Sequence, residues 1–129
     1  RNASIYLIRT GIEVPLYTTS AGRVFAAYMS EKEIDESLKQ HKITKQTPYT
    51  KIDSEQIKTE LKKIRSNGYA ILDEELQINV QGAACPIFSG TGEVVAAVAF
   101  TTIKTEKPIS KDELKELLEC ASRISEFIK

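Results

Sequence analysis

The 129-residue chain has no tryptophan, one methionine (Met29), one histidine (His41) and two cysteines, and its charges cancel. Each shortage removes a class of function. Lys and Arg total 18 against 18 Asp and Glu, so there is no basic excess for a nucleic-acid surface as the main job. Cys85 and Cys120 stand far apart, with no Cys-x-x-Cys pair and no Cys/His cluster. That usage gives no zinc site and fits a reducing cytosol. The longest uninterrupted apolar run, Val94 to Phe100, is far short of a membrane span. No charged-then-apolar leader opens the chain. It begins at Arg1, and so reads as an excerpt of something longer or a processed product.

What is present suits one soluble globular domain: 41% hydrophobic and 28% charged residues at a length that buries a real core. No repeat or low-complexity segment interrupts it. Strand and helix signals alternate, which predicts an α+β domain with a mostly antiparallel sheet flanked by helices. Ser4 to Arg9 reads as a strand, broken by Gly11 and Pro15. A helix follows to about Met29, with Ala21, Phe25 and Tyr28 on one face. Ser30 with Glu33 has capping-box spacing and opens a second helix, with Ile34 and Leu38 as its apolar contacts. Asp53 with Gln56 opens a third, whose stripe is Ile57, Leu61 and Ile64 and whose stop is Gly68. Tyr69 to Leu72 is a short strand. Asp73, Glu74 and Glu75 form an acidic turn, and Leu76 to Val80 fits loop or strand. Ala83 to Phe88 and Val94 to Thr101 read as a hairpin around Ser89 to Gly92. Ser110 with Glu113 caps a last helix striped by Leu114, Leu117, Leu118, Ala121, Ile124 and Ile128.

The stretch Thr18-Thr19-Ser20-Ala21-Gly22 places hydroxyls and small residues at a helix start. Free backbone N–H groups there suit a carboxylate or phosphate, and plain N-capping explains the same residues. The strand face Val95, Ala97, Ala99 and Thr101 floors a cavity or lets a helix pack closely. Gly82 admits a ligand against bare backbone or permits a bulge. The acidic turn reads as solvated, with no further ligand at metal spacing. Cys85 with His41 is the one conceivable nucleophile–base couple. No orienting third residue accompanies it, and both cysteines read as small buried hydrophobes, so no enzyme is expected.

Several segments together resemble one family. Glu13 to Arg23, with Gly11 ahead of it, is similar to the entry to the first helix in the effector domain of IclR-type (isocitrate lyase regulator) transcription factors. Phe25 to Ile34 resembles that helix and the start of the next. Arg65 to Glu75 resembles the family's Gly-Tyr-Ala strand and acidic turn. Val80 to Phe88 and Gly92 to Ala99 resemble its hairpin.

The resemblance implies a GAF/profilin-like fold spanning residues 1–129. It also implies an effector pocket on one sheet face, a cytoplasmic regulator working as a dimer or tetramer, and an upstream winged helix-turn-helix domain that alone contacts DNA. The family's effector domain begins earlier, so its first helix and strands are expected to be missing here. No cofactor or metal is implied. Small organic acids would meet the helix start at Thr19, Ser20, Ala21 and Gly22. The positions that often carry a carboxylate, a thiol and a serine hold Leu72, Gly82 and Ala99 here, while Thr101 keeps a hydroxyl. Tyr6 and Val80 would be apolar walls. The expected ligand therefore has a carboxylate end and a more apolar body. The alternative is an oligomerisation module with an empty pocket.

Overall fold

A computed structural model describes Gly11, Glu13 and residues 15–128. The strand expected over Ser4 to Arg9, and Tyr6 within it, lie outside the described residues. The elements run α1 (Ser20–Ala27), α2 (Glu31–Gln40), α3 (Ser54–Asn67), β1 (Ala70–Asp73), β2 (Val80–Phe88), β3 (Val94–Ile103) and α4 (Lys111–Glu126). None of these helices is long and apolar enough to cross a membrane.

The helix ends follow from local hydrogen bonding. At α2 and α4 the Ser30/Glu33 and Ser110/Glu113 pairs each close both bonds of a capping box. Asp53 caps α3 by accepting from the Gln56 N–H. At the other end of α3 the chain reverses at Gly68, whose φ of 84° any side chain would resist.

The three strands form an antiparallel sheet in the order β1-β2-β3. Alternation sends Ala70, Leu72, Gly82, Ala84 and Ala97 to one face, and Ala83, Cys85, Ile87, Val98 and Phe100 to the other. The first face packs under α1 and α3, where Val24, Ala27, Ile57, Leu61 and Ile64 join Ala70 and Ala84 in one core. Each such aliphatic side chain contributes roughly 1.5–3 kcal/mol by leaving water. The second face packs under α4 through Leu117 and Ala121. The ladder slips between Ile87 and Phe88, and the Phe88 N–H donates instead to Ser125 Oγ of α4 at 3.0 Å.

Several expectations need correction. The inner face of α1 is only partly Ala21, Phe25 and Tyr28: Ala21 and Tyr28 are half-buried against the core, Phe25 is 39% exposed, and Val24, Ala26, Ala27 and Arg23 are buried. Arg23 can sit inside because its charge is met there by Glu75. The helix stops at Ala27, with Tyr28 as its cap. Residues 74–79 are a loop, with Glu74 and Asn79 at φ 59° and 67°, and β2 starts at Val80 rather than Ala83. No bulge occurs at Gly82, which pairs regularly with Leu72 and Thr101. Leu118 is exposed rather than part of the α4 stripe, and Cys120 is only half-buried.

Candidate functional site

The site is built where the start of α1 meets the sheet. Thr19 is the N-cap: its hydroxyl accepts from the Gly22 N–H at 3.1 Å and donates to the Pro15 carbonyl at 2.8 Å. Its carbonyl takes the Arg23 N–H. The N–H groups of Ser20 and Ala21 belong to the first turn and have no intrahelical acceptor. Gly22 serves packing instead of the cleft. A Cβ there would sit 2.2 Å from the Leu16 carbonyl oxygen, so the preceding loop crosses directly over it.

Below the helix start lies one cross-strand row, Leu72–Gly82–Thr101. The missing side chain of Gly82 sets the separation: a Cβ there would lie 3.2 Å from Ser20 Oγ. Between helix and row is a cleft of about 20 Å³, lined by Thr18, Thr19, Ser20, Leu72, Glu75, Leu76, Val80, Gly82 and Thr101. Six residues singled out in the sequence thus converge: Thr19, Ser20, Leu72, Val80, Gly82 and Thr101. Ala21, Gly22 and Ala99 do not line it. Ala99 completes the next row, Ala70–Ala84–Ala99, and is exposed on β3.

Sequence reasoning placed Thr18 in the helix-start stretch without seeing that its hydroxyl is unpaired, and missed Glu75 and Arg23. Glu75 was read as part of a solvated turn, yet it is 2% exposed. Its Oε1 accepts from Arg23 at 2.6 Å and from the Lys51 N–H at 3.1 Å, and its Oε2 from Arg23 and Lys51 Nζ, each at 3.1 Å. Arg23, 1% exposed, also donates Nε to the Tyr17 carbonyl. Thr47 and Thr50 donate to the Glu74 and Glu75 carbonyls, each at 2.6 Å, and hold the loop from behind. Burial pushes the Glu75 carboxyl up, but the bonds and charges of Arg23 and Lys51 outweigh it and hold the group below its ordinary value. One negative and two positive charges leave this wall with a net positive charge. The signal available in the sequence was an arginine at an otherwise apolar helix position.

Thr18 is 2% exposed, and among the described residues its Oγ1 has no hydrogen-bond partner. It also lines a second cavity of about 410 Å³ with Leu16, Tyr17 and Ile43. Cys85 faces α4, where burial, with Cys120 nearby, pushes its thiol up to about 11. His41 borders the second cavity beside Tyr17, whose side chain belongs to the other core, so the two form no couple.

Helices on both faces of an antiparallel sheet, with one helix start opening onto a cleft over the strands, define a GAF/profilin-like α+β domain of the effector-binding class. The chain belongs to the family described as bacterial transcriptional regulator IclR C-terminal, which matches residues 2–126. It is 31% identical over 101 residues to the HTH-type transcriptional regulator XynR of Escherichia coli K12, covering 78% of this chain and 40% of that protein. The crystal structure of the Thermotoga maritima IclR superposes with a TM-score of 0.83 at 33% identity, over 95% of this chain and 50% of that one. The inducer-binding domain of a PobR double mutant from Acinetobacter, solved with 3-hydroxybenzoic acid, shares the fold. Its TM-score is 0.80 at 21% identity, over 87% of this chain and 66% of that one. The chain spans less than half the length of the curated relatives it matches, which are transcriptional regulators rather than enzymes.

Proposed function

We propose that this chain senses a small carboxylate in the cleft at the start of α1, and so modulates DNA binding by a winged helix-turn-helix domain elsewhere in a cytoplasmic regulator. The observation that carries this reading is the free first turn of α1 set against the Leu72–Gly82–Thr101 row. The Ser20 N–H group and the helix dipole would hold the carboxylate, with the Ala21 N–H, just outside the cleft lining, as the other free donor of the first turn. Leu72 and Val80 would meet the apolar part, and Thr101 would offer a hydroxyl. A hydroxybenzoic acid in the PobR domain supports the reading at the level of fold. Transmission requires that the acid bind one of two conformations more tightly.

The test is thermal unfolding of the full chain against aliphatic and aromatic carboxylic acids. An acid at 100 times its dissociation constant adds about 2.7 kcal/mol, which raises the midpoint by roughly 5–10 °C. Replacing Ser20 by Leu should abolish the shift, and an unchanged shift would refute this site.

A second reading is an oligomerisation module, dimeric or tetrameric, with no effector of its own. The cleft volume favours it, since about 20 Å³ holds little more than one water-sized group. Sedimentation would then show concentration-dependent association unaffected by any acid. A strict monomer would exclude it.

A further inference from the structure

We propose that Thr18 reads a hydroxyl group on the ligand, so that the cleft takes hydroxy carboxylates in preference to the same acids without the hydroxyl. This rests on the reading of the cleft as an effector site.

The argument is one of hydrogen-bond accounting. Buried polar groups in native proteins are paired, and each exception needs an explanation. The threonines around the cleft follow the rule: Thr19 donates to Pro15, Thr47 to Glu74 and Thr50 to Glu75. Among the described residues Thr18 has no such partner, although it is only 2% exposed and stands on the wall that the cleft shares with the second cavity. Thr102 Oγ1 is also unpaired, but Thr102 lies on the α4 side of β3, away from the cleft.

Of the other polar groups on the wall, Thr19 and Glu75 are committed, and the Ser20 and Thr101 hydroxyls, unlike that of Thr18, are not sealed from water. The Thr19 hydroxyl both accepts and donates. The two oxygens of Glu75 accept four hydrogen bonds from Arg23 and Lys51, which fills the carboxylate. Glu75 therefore shapes the wall without offering a contact. The Ser20 N–H, with that of Ala21 just outside the lining, suits the carboxylate. Thr18, one residue before the cap, is the wall hydroxyl that is both buried and, among the described residues, without a partner. A hydroxyl can both donate and accept, so its matching partner is another hydroxyl. A site built around such a bond rejects the analogue lacking it, because the protein hydroxyl is left buried and unpaired.

The experiment titrates the full chain with lactate and with propionate, which differ by one hydroxyl, following backbone amide shifts of the first turn of α1 by NMR. Wild type should bind lactate at least about ten-fold more tightly. Thr18→Val, of equal shape, should bring the two acids within about two-fold, and Thr18→Ser should restore the preference. The urea midpoint of Thr18→Val should equal or exceed that of wild type, since an unpaired hydroxyl has been removed. Equal affinities in wild type, or a preference that survives in Thr18→Val, overturn the proposal and leave the cleft reading intact. A destabilised Thr18→Val also overturns it, by showing the hydroxyl already paired. If neither acid moves the α1 amides, the cleft reading fails and takes this proposal with it.

Discussion

Glu75 and Arg23 lie inside the protein, so cutting their pair tests the account of the site directly. Glu75→Leu leaves the Arg23 guanidinium buried with the Tyr17 carbonyl as its remaining acceptor. Removing one partner of a buried pair costs roughly 3–5 kcal/mol. For a chain of this size that lowers the melting midpoint on the order of 10–20 °C. Arg23→Met should do the same from the other side. The double variant Arg23→Met/Glu75→Leu has no fully buried orphaned charge, since the Lys51 ammonium it frees is 29% exposed and reaches water. What it loses is a partner for the Tyr17 carbonyl and one for the Lys51 N–H, at about 1 kcal/mol each. The double variant should therefore be more stable than either single one. Urea unfolding of the four proteins measures this, and losses that simply add would refute the buried-pair account.

The same pair has a pH signature. The folded-state value of Glu75 lies below its ordinary 4.5, so its stabilisation is complete above that value and is lost as pH falls through the folded one. The carboxyls of Glu33, Glu74 and Glu113 are also lowered and add their own acid dependence. The gap between wild type and Glu75→Gln isolates the one group. It should be constant from about pH 5 upward and shrink below about pH 4. A gap that stays constant into acid would show that folding does not shift Glu75, and one that grows as pH falls would show a neutral Glu75 in the fold.

Gly22→Ala should cost roughly 3 kcal/mol or more, because its Cβ would strike the Leu16 backbone, which cannot rotate aside; a urea midpoint within error of wild type would contradict this. Gly82→Ala meets only the end of the Ser20 side chain, so it should cost less than about 1 kcal/mol yet abolish any thermal shift by acids. Cys120 should be alkylated well before Cys85 in mass-spectrometric time courses at pH 8, where on the order of 10⁻³ of Cys85 is thiolate. Ser110→Ala should lower stability by about 1 kcal/mol, read from the melting midpoint, by opening the capping box of α4.

The helix starts at Ser30, Asp53 and Ser110 were legible because capping is local: a hydroxyl or carboxylate three residues before its partner suffices. The hairpin was legible because alternation and turn residues agree. The start of α1 and the row below it could be assembled from sequence because Thr19, Ser20, Gly82 and Thr101 stand in segments with a family likeness. Arg23 and Glu75 were not, since they are 52 residues apart and each looks like a surface residue on its own. Burial of such a pair is decided by tertiary contact, which hydropathy along the chain does not carry. The isolation of the Thr18 hydroxyl escaped for a related reason: an unpaired hydroxyl is recognised only once every neighbouring donor and acceptor is located.

Among the described strands β2 alone is hydrogen-bonded on both edges, and its alternate residues enter both cores, Ala84 on one side and Ala83, Cys85 and Ile87 on the other. The sheet thus divides the molecule into two cooperative units that share β2 as their common member. The α4 layer should open while α1 and the cleft stay closed, whereas loss of β2 should dissolve both at once. Amide hydrogens of β2 should therefore exchange only through global unfolding, and those of α4 at a lower free energy.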